Sequence, residues 1–182
     1  MGPLIPSITV TDPNGITNTL IDNDSPCPGW EGVPGTEGKA LTSRGRVVVV
    51  WKPDPNNSID KKYFCHGHTL DTYRRYGYSV FSGQHVLAAL TDDYIIIGSG
   101  QEALNLVIPN DIISFGDMSG TILHTALVVN VPMANGIPTG KNNQGNVTVW
   151  TKNGQMPECV QKLSVTCQVY KDSLNLRYWR AK

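Results

Sequence analysis

The sequence predicts an α+β fold, in which helices pack on a mostly antiparallel sheet within one domain. Three observations support this fold class: 182 residues can bury one sizeable core, 18 glycines and 12 prolines favour many turns, and strand-like runs follow two helical segments. Because helices and strands occupy separate stretches, the order favours α+β over a parallel α/β sheet. We expect a single domain over residues 1–182, made of an extended arm (1–45) and a core (46–182).

Composition argues against several classes of protein. Hydrophobic residues make up 40% of the chain and charged residues 16%, which is typical of globular rather than disordered proteins. Fifteen basic residues balance fifteen acidic ones, so neither nucleic acid nor an anionic membrane is expected as the main partner. The sequence shows neither a run of ~20 apolar residues nor a segment typical of a signal peptide, and it leaves the cellular location open.

The N-terminal arm is rich in turn signals and poor in apolar residues. Residues 7–10 predict a short strand, Asp12-Pro13-Asn14-Gly15 is typical of a turn, and residues 27–38 predict a loop. Such a segment cannot form its own core, so we expect it to lie across the main body. Residues 46–51 then contain a continuous apolar run rich in β-branched valines, which predicts a buried strand.

The core is predicted to alternate between helices and a meander of strands. A first helix begins near Cys65, capped by Ser58 or Asp60, and runs to about Tyr76. The other predicted elements are a helix at 84–90, strands at 94–97, 111–115, 122–130 and 146–151, a short helix at 156–163, and strands at 165–170 and 176–179. The strands at 111–115 and 122–130 are expected to pair as an antiparallel hairpin.

Four cysteines are spaced irregularly, at positions 27, 65, 159 and 167. They form no Cys-x-x-Cys motif, so a structural zinc site is not expected. In an oxidising compartment Cys27 would be able to pair with Cys159 or Cys167, whereas a reducing compartment would leave four thiols. The sequence leaves both possibilities open.

Cys65 lies where a loop becomes a helix, in the stretch Lys62-Tyr63-Phe64-Cys65-His66. The unpaired N–H groups and positive end of a helix favour the thiolate, which is the nucleophilic form of cysteine. His124 on a predicted strand offers an imidazole to take the thiol proton, and Asn153 after the next strand offers an amide to fix its tautomer. These three are the candidate catalytic residues. The structural alternatives are a buried thiol, a core imidazole and an ordinary Asn-Gly turn.

A metal site is not expected beside Cys65. His66 and His68 are also metal-ligating residue types, but successive residues on a helix diverge by ~100°, so the three side chains cannot all face one ion. We expect neither a metal nor another cofactor. One of the two histidines is expected to border the active-site cleft instead.

The order of these residues resembles the papain-like NlpC-type and CHAP-type cysteine amidohydrolases. In that family a Cys opens a helix packed on a sheet, and a strand of the Gly-Asp-hydrophobic-hydrophobic-Phe kind precedes the strand with the His. The matching stretches here are Asn110-Asp111-Ile112-Ile113-Ser114-Phe115, then Leu123-His124-Thr125-Ala126, then Trp150-Thr151-Lys152-Asn153. The resemblance covers about residues 60–155, with Phe64-Cys65-His66-Gly67 standing where the family commonly has Asp-Cys-Ser-Gly.

The resemblance implies a papain-like NlpC-type fold and thiolate hydrolysis of an amide bond, with Cys65, His124 and Asn153 as the catalytic residues. The implied substrate is a peptide amide in peptidoglycan. The implied role is that of an antibacterial effector or toxin delivered by a specialised secretion system, with an immunity or inhibitor protein as partner. Two alternatives remain open: a deamidase or transglutaminase acting on protein glutamine, and a non-catalytic binding module with the same fold.

Overall fold

The computed structural model of the chain describes residues 10–11, 17–18, 21–30, 33–80, 82–140, 146–171 and 175–182. These residues form an α+β architecture in which short helices pack on antiparallel sheets, as the sequence predicts. The turn predicted at residues 12–15 lies outside the described residues.

The N-terminal part forms two small antiparallel sheets. Strand β1 (Val10–Thr11) pairs with β2 (Thr17–Asn18). A four-stranded sheet follows, and its strands are, in spatial order, β3 (Ile21–Trp30), β4 (Val33–Leu41), β5 (Val47–Pro53) and β6 (Ser79–Val80).

The main sheet has six strands, all with antiparallel neighbours. In chain order the remaining strands are β7 (Tyr94–Ser99), β8 (Ile112–Gly116), β9 (Ile122–Asn130), the small pair β10 (Met133–Ala134) and β11 (Ile137–Pro138), β12 (Thr148–Lys152), β13 (Glu158–Lys162) and β14 (Asn175–Ala181). Across the main sheet the order is β13-β12-β9-β8-β14-β7. The hairpin of β8 and β9 and the strands β5, β7, β12 and β14 confirm sequence predictions.

The helices are short and lie between the strands. They are α1 (Cys65–Thr69), α2 (Thr72–Tyr76), α3 (Gly83–Asp93) and α4 (Leu163–Val169), with 3₁₀ turns at Ile59–Lys61 and Gln101–Leu106. The helix predicted from Cys65 to Tyr76 is therefore interrupted. Asp71 has φ of 58°, a left-handed conformation that breaks the helical hydrogen-bond pattern between α1 and α2.

Both faces of the main sheet are buried, and each carries its own hydrophobic cluster. Ile112 and Trp179 pack with residues of α3 and β5 on one side, which we call the helix face. Their neighbours Ile113 and Tyr178 pack with Leu163 and the 3₁₀ turn Gln101–Leu106 on the other side, the back face. Because successive strand residues point to opposite faces, the parity of a position decides which cluster it joins.

The loop predicted over residues 27–38 is not what the structure shows. Strands β3 and β4 take up most of that range, and β4 pairs antiparallel with β3 on one side and with β5 on the other. The Pro- and Gly-rich composition predicted a loop over residues 27–38. Antiparallel partners and the irregularities in the β3 register accommodate those residues within strands, which local composition could not indicate.

Two predictions near the C-terminus are also wrong. Residues 158–162 form β13 instead of a helix because they pair residue by residue with β12, from Thr148 opposite Lys162 to Lys152 opposite Glu158. Residues 163–169 form α4 instead of a strand, although they are rich in β-branched residues. Leu163 and Thr166 are one turn apart and both buried, so tertiary packing overrides local propensity.

Close approach of α1 to β6 depends on Gly67. A Cβ at this position would lie 2.0 Å from Ser79 Oγ and 2.9 Å from Ser79 Cβ, which is inside van der Waals contact. The absence of a side chain at position 67 therefore lets the helix that begins with Cys65 pack directly on the strand.

We predict that Gly67→Ala lowers the free energy of unfolding by about 1–3 kcal/mol, because the added methyl overpacks this contact. At an exposed helix position the same change would instead stabilise by up to ~1 kcal/mol. Urea denaturation shows directly whether Gly67→Ala lowers or raises the free energy of unfolding. Adding Ser79→Gly should recover part of the loss in a double-mutant cycle. A Gly67→Ala protein as stable as the parent would contradict this packing.

Candidate active site

Cys65 is the first residue of α1 and its side chain is almost fully buried, with 9% of the residue exposed. The preceding residue, Phe64, is extended and stacks on the Trp51 ring of β5 at a centroid distance of 5.6 Å. Neither Ser58 nor Asp60 caps this helix, contrary to expectation: Phe64 occupies the N-cap position, and no side chain caps it. The start of α1 is therefore set by packing of Phe64 rather than by a capping hydrogen bond.

Lys152 fixes the segment that leads to Cys65. This lysine is fully buried, and its ammonium donates to the backbone carbonyls of Asp60 at 2.7 Å, Gly154 at 3.2 Å and Met156 at 2.7 Å. Burial lowers the pKa of Lys152, an effect opposed by the charges of Asp60, Glu158 and Cys65. Because an ammonium has three protons, these contacts use all of them. Lys152 thereby ties the end of β12 to the 3₁₀ turn that precedes Cys65.

His124 lies on the back face of the main sheet. Its Nε2 is 2.7 Å from Thr151 Oγ1, its ring stacks on Tyr170 at 3.9 Å, and it packs against Phe115 at 5.3 Å. Nδ1 has no hydrogen-bond partner among the described residues. Burial, followed by the nearby His66 and His68, holds the pKa of His124 well below its ordinary value, so the imidazole is neutral.

The contact of β9 with α1 is made by Thr125, the residue next to His124. Helix α1 packs on the helix face, where His66 Nδ1 lies 2.9 Å from Thr125 Oγ1. Thr125 and His124 are adjacent on β9 and therefore point to opposite sides of the sheet. The order and spacing of Cys and His in the sequence carried no information on this parity.

Asn153 is linked to the His124 ring through the side chain of Tyr170. Its carbonyl accepts a hydrogen bond from the Met156 N–H at 3.0 Å, as in a turn, and its Oδ1 accepts one from the Tyr170 hydroxyl at 3.4 Å. Tyr170 in turn stacks on His124. The residue bonded to the imidazole is Thr151, which sequence reasoning did not single out.

A second imidazole, His68, stands one turn after Cys65 within a polar cluster on the helix face. Its Nδ1 is 3.2 Å from a Glu158 carboxylate oxygen and 3.1 Å from the Arg74 guanidinium, and the Trp150 ring meets it edge-on at 4.7 Å. Tyr63 and Arg74 both donate hydrogen bonds to Glu158. The sequence predicted that one of His66 and His68 borders a cleft, but it gave no sign that Glu158 would lie beside His68.

Electrostatics hold this cluster as a neutral imidazole beside a charged carboxylate. Burial lowers the pKa of His68, with the charge of Glu158 opposing that effect and the charge of Arg74 adding to it. Burial by itself would raise the pKa of Glu158, but the hydrogen bond from Tyr63, followed by the interactions with His68 and Arg74, keeps that pKa below its ordinary value. Glu158 is thus an acceptor that can orient the imidazole.

A cleft of about 490 Å³ opens next to His68 on the helix face. Its walls come from α1, α2, β8, β9 and β12, together with the first residue of β7 and the last residue of β14. Most of the wall surface is apolar. The lining residues are His68, Thr69, Leu70, Asp71, Arg74, Tyr94, Asn110, Ile112, Leu127, Trp150 and Ala181. His66 points away to Thr125, so His68 is the histidine of this pair that borders a cleft. Within the described ranges, no group of three or more His, Cys, Asp or Glu residues is arranged to hold a metal ion.

We predict that the protein loses stability as the pH falls from about 6.5 to about 4. Burial lowers the pKa of His66 from 6.5 to about 4, so between these values the unfolded chain binds a proton that the folded chain does not. His66 alone accounts for a loss on the order of 3 kcal/mol over this range. Urea denaturation between pH 7 and 4.5 should show a shallower pH dependence for His66→Gln. An unchanged slope would contradict the buried neutral state of His66.

Comparison with protein-family models, characterised proteins and solved structures gives no match for this chain. Among the described residues, no helix is both long and apolar enough to cross a membrane. What the site can do is therefore argued from its own residues.

Proposed function

We propose that the chain is a cysteine hydrolase of papain-like, NlpC-type architecture that cleaves an amide bond with Cys65 as nucleophile. One arrangement carries the proposal. Cys65 begins a helix whose next turn presents His68, and Nδ1 of that imidazole lies 3.2 Å from the Glu158 carboxylate.

The spacing of Cys65 and His68 suits proton transfer. Residues three apart on a helix lie on the same side, with Cβ atoms ≈ 5–6 Å apart. Nδ1 lies between the Glu158 carboxylate, which favours a proton on that nitrogen, and an Arg74 N–H, which favours the other tautomer. The proposal requires the tautomer set by Glu158, which leaves Nε2 as the acceptor. Thiol, imidazole and carboxylate then follow one another in the order that nucleophilic catalysis requires.

The proposed reaction proceeds in two steps, acylation of Cys65 and hydrolysis of the resulting thioester. His68 Nε2 takes the thiol proton, Cys65 sulfur bonds to the amide carbon, and the first-turn N–H groups of α1 stabilise the oxyanion. His68 returns the proton to the amide nitrogen as the C–N bond breaks, and the amine leaves. Water, deprotonated by His68, then attacks the thioester, releasing the acid and restoring the thiol.

Sequence order alone assigned the base to His124 and the orienting role to Asn153. Both remain testable alternatives to His68 and Glu158. Against them stands the position of His124 on the back face, where Thr151, Phe115 and Tyr170 surround its ring. The family resemblance favours His124 and Asn153. The same resemblance favours a peptidoglycan peptide over a protein glutamine as the substrate.

A non-catalytic binding module is the second candidate, and burial of the thiol favours it. Only 9% of Cys65 is exposed, and a buried thiol without access to reagent is inert. Thiol reactivity therefore separates the two candidates.

We predict that brief, substoichiometric iodoacetamide treatment near pH 6.5 labels Cys65 before Cys27, Cys159 or Cys167, as read by mass mapping. His68→Gln should slow labelling of Cys65 at least tenfold, because the thiol loses its base. His85→Gln on α3 is the control and should change nothing.

The same experiment tests the alternative base. His124→Gln should leave the pH profile of Cys65 labelling unchanged, and so should Asn153→Ala. If His124→Gln slows labelling and His68→Gln does not, the base is His124, as the sequence order suggested. Preferential labelling of another cysteine would remove Cys65 as nucleophile.

For the substrate, we predict that purified protein releases peptide fragments from isolated peptidoglycan and that Cys65→Ala does not. Expression directed to a bacterial periplasm should then lyse cells, whereas cytoplasmic expression should be tolerated. Undigested peptidoglycan together with toxicity from the cytoplasm would favour the deamidase or transglutaminase alternative. An unreactive Cys65 without toxicity would leave the binding module.

A further inference from the structure

Strand β13 forms one edge of the six-stranded sheet. Among the described residues its strand partner is β12, and their five residue pairs follow one another without an irregularity. The opposite edge, β7, is less regular, because its register against β14 shifts between Tyr178 and Trp179. A straight edge strand presents a row of backbone groups with which another strand can pair.

The backbone groups of Glu158, Val160 and Lys162 point away from β12. Just beyond the last strand pair, and in the same register, the Leu163 N–H donates to the Val147 carbonyl at 2.7 Å. Inward and outward backbone groups alternate along an antiparallel strand. Odd-numbered residues of β13 therefore bond to β12, and each even-numbered residue presents its N–H and its carbonyl at the edge of the sheet.

The edge is exposed on both faces of the sheet. Val160 lies opposite Trp150 in the pairing with β12, which puts it on the helix face, and it is 61% exposed. On the back face, α4 begins at Leu163 and runs inward, since Tyr170 just after its end stacks on His124 of β9. The apolar Val160 side chain is thus left in solvent beside a row of outward backbone groups.

The strand is complementary in charge to a second copy of itself. Its sequence is Glu158-Cys159-Val160-Gln161-Lys162, with an acid at one end and a base at the other. When two copies pair antiparallel about a two-fold axis at Val160, each Glu158 lies opposite the other copy's Lys162. A parallel arrangement puts like charges side by side, and an antiparallel slip by two residues sets both charges opposite uncharged residues.

Glu158 retains a carboxylate oxygen for this ion pair. Its contacts with Tyr63, Arg74 and His68 are all made through Oε1, and 22% of its side chain is exposed. Lys162 is exposed as well. The zero formal net charge of the chain adds no overall repulsion between two copies. Oε2 is therefore the oxygen that a lysine of a second copy can approach.

We propose that the protein forms a symmetric dimer in which the β13 strands of two copies pair antiparallel about Val160. The pairing joins two six-stranded sheets into one continuous sheet and places the Glu158 that faces His68 at the interface. Five residues from each copy make a small interface, so the dimer is reversible, with a Kd on the order of tens of micromolar. It forms whether or not Cys65 acts as a nucleophile.

Sedimentation velocity between about 1 and 500 µM protein brackets this Kd and measures the association. We expect the monomer at the low end of the range and the dimer at the high end. Lys162→Glu replaces two attractive pairs with two repulsive ones and should weaken association about tenfold. Lys171→Glu makes the same change of charge at an exposed position outside β13 and should associate as the parent does.

A second pair of variants tests which edge is used. Val160→Lys brings two like charges together at the two-fold axis and should leave the protein monomeric over the whole range. Ile96→Lys is the matched control on β7, where the isoleucine is 53% exposed, and it should not change the association. Far-UV circular dichroism of each variant should match that of the parent.

Cross-linking of the native protein tests the register. A carbodiimide joins a carboxylate directly to an amine in contact with it. Within one chain Glu158 and Lys162 are four strand residues apart, about 13 Å, so a Glu158–Lys162 link must join two copies. Mass mapping of a mixture of isotope-labelled and unlabelled protein should therefore find this link in peptides that combine both kinds of chain.

Three results would overturn the inference. One is a protein that stays monomeric over the whole range, which would exclude a second copy as the partner of this edge. Another is a dimer that withstands Lys162→Glu and Val160→Lys, or that Ile96→Lys dissociates instead. The third is a dimeric sample in which the Glu158–Lys162 link does not form. Dissociation by the two β13 variants together with that link supports the paired strands.

Discussion

Burial of both faces of the six-stranded sheet constrains the rest of the molecule. The buried apolar residues of the central strands join one of two clusters, the one under α3 or the one under α4, and between irregularities of register their parity decides which. On β9, Thr125 meets α1 through His66, whereas His124 is enclosed with Phe115 and Tyr170 on the other side. A slip of one residue would exchange these roles, and the buried apolar residues on both faces prevent it.

Burial also sets the chemistry of the imidazoles. His66, His68 and His124 all have lowered pKa values, with burial as the largest cause, so they are neutral acceptors or donors rather than cations. What distinguishes His68 is its surroundings, because it lies at a cleft and faces a carboxylate that Tyr63 and Arg74 keep ionised. This difference in environment is what supports His68 as the proposed base.

Local patterns predicted much of the fold but less of the site. Continuous or alternating apolar residues located β5, β7, β8, β9, β12 and β14, because a strand's side-chain period is visible in the sequence. Strands β3, β4 and β13 and helix α4 were missed because distant partners decide them: β13 is a strand owing to its pairing with β12. Cys65 at a helix start was predicted, whereas the cap by Ser58 or Asp60 was not found.

The sequence by itself determined the α+β class, the helix that begins with Cys65 and the hairpin that carries His124, since these follow from composition and short-range periodicity. Only the tertiary structure decided which side chains meet. It placed His124 against Tyr170 and its neighbour Thr125 against His66, and it bound the Lys152 ammonium to the carbonyl of Asp60. It also brought Glu158 to His68 from a strand that the sequence did not predict. The physical reason is that strand pairing and the parity of buried positions fix these contacts, and both depend on residues far apart in the chain.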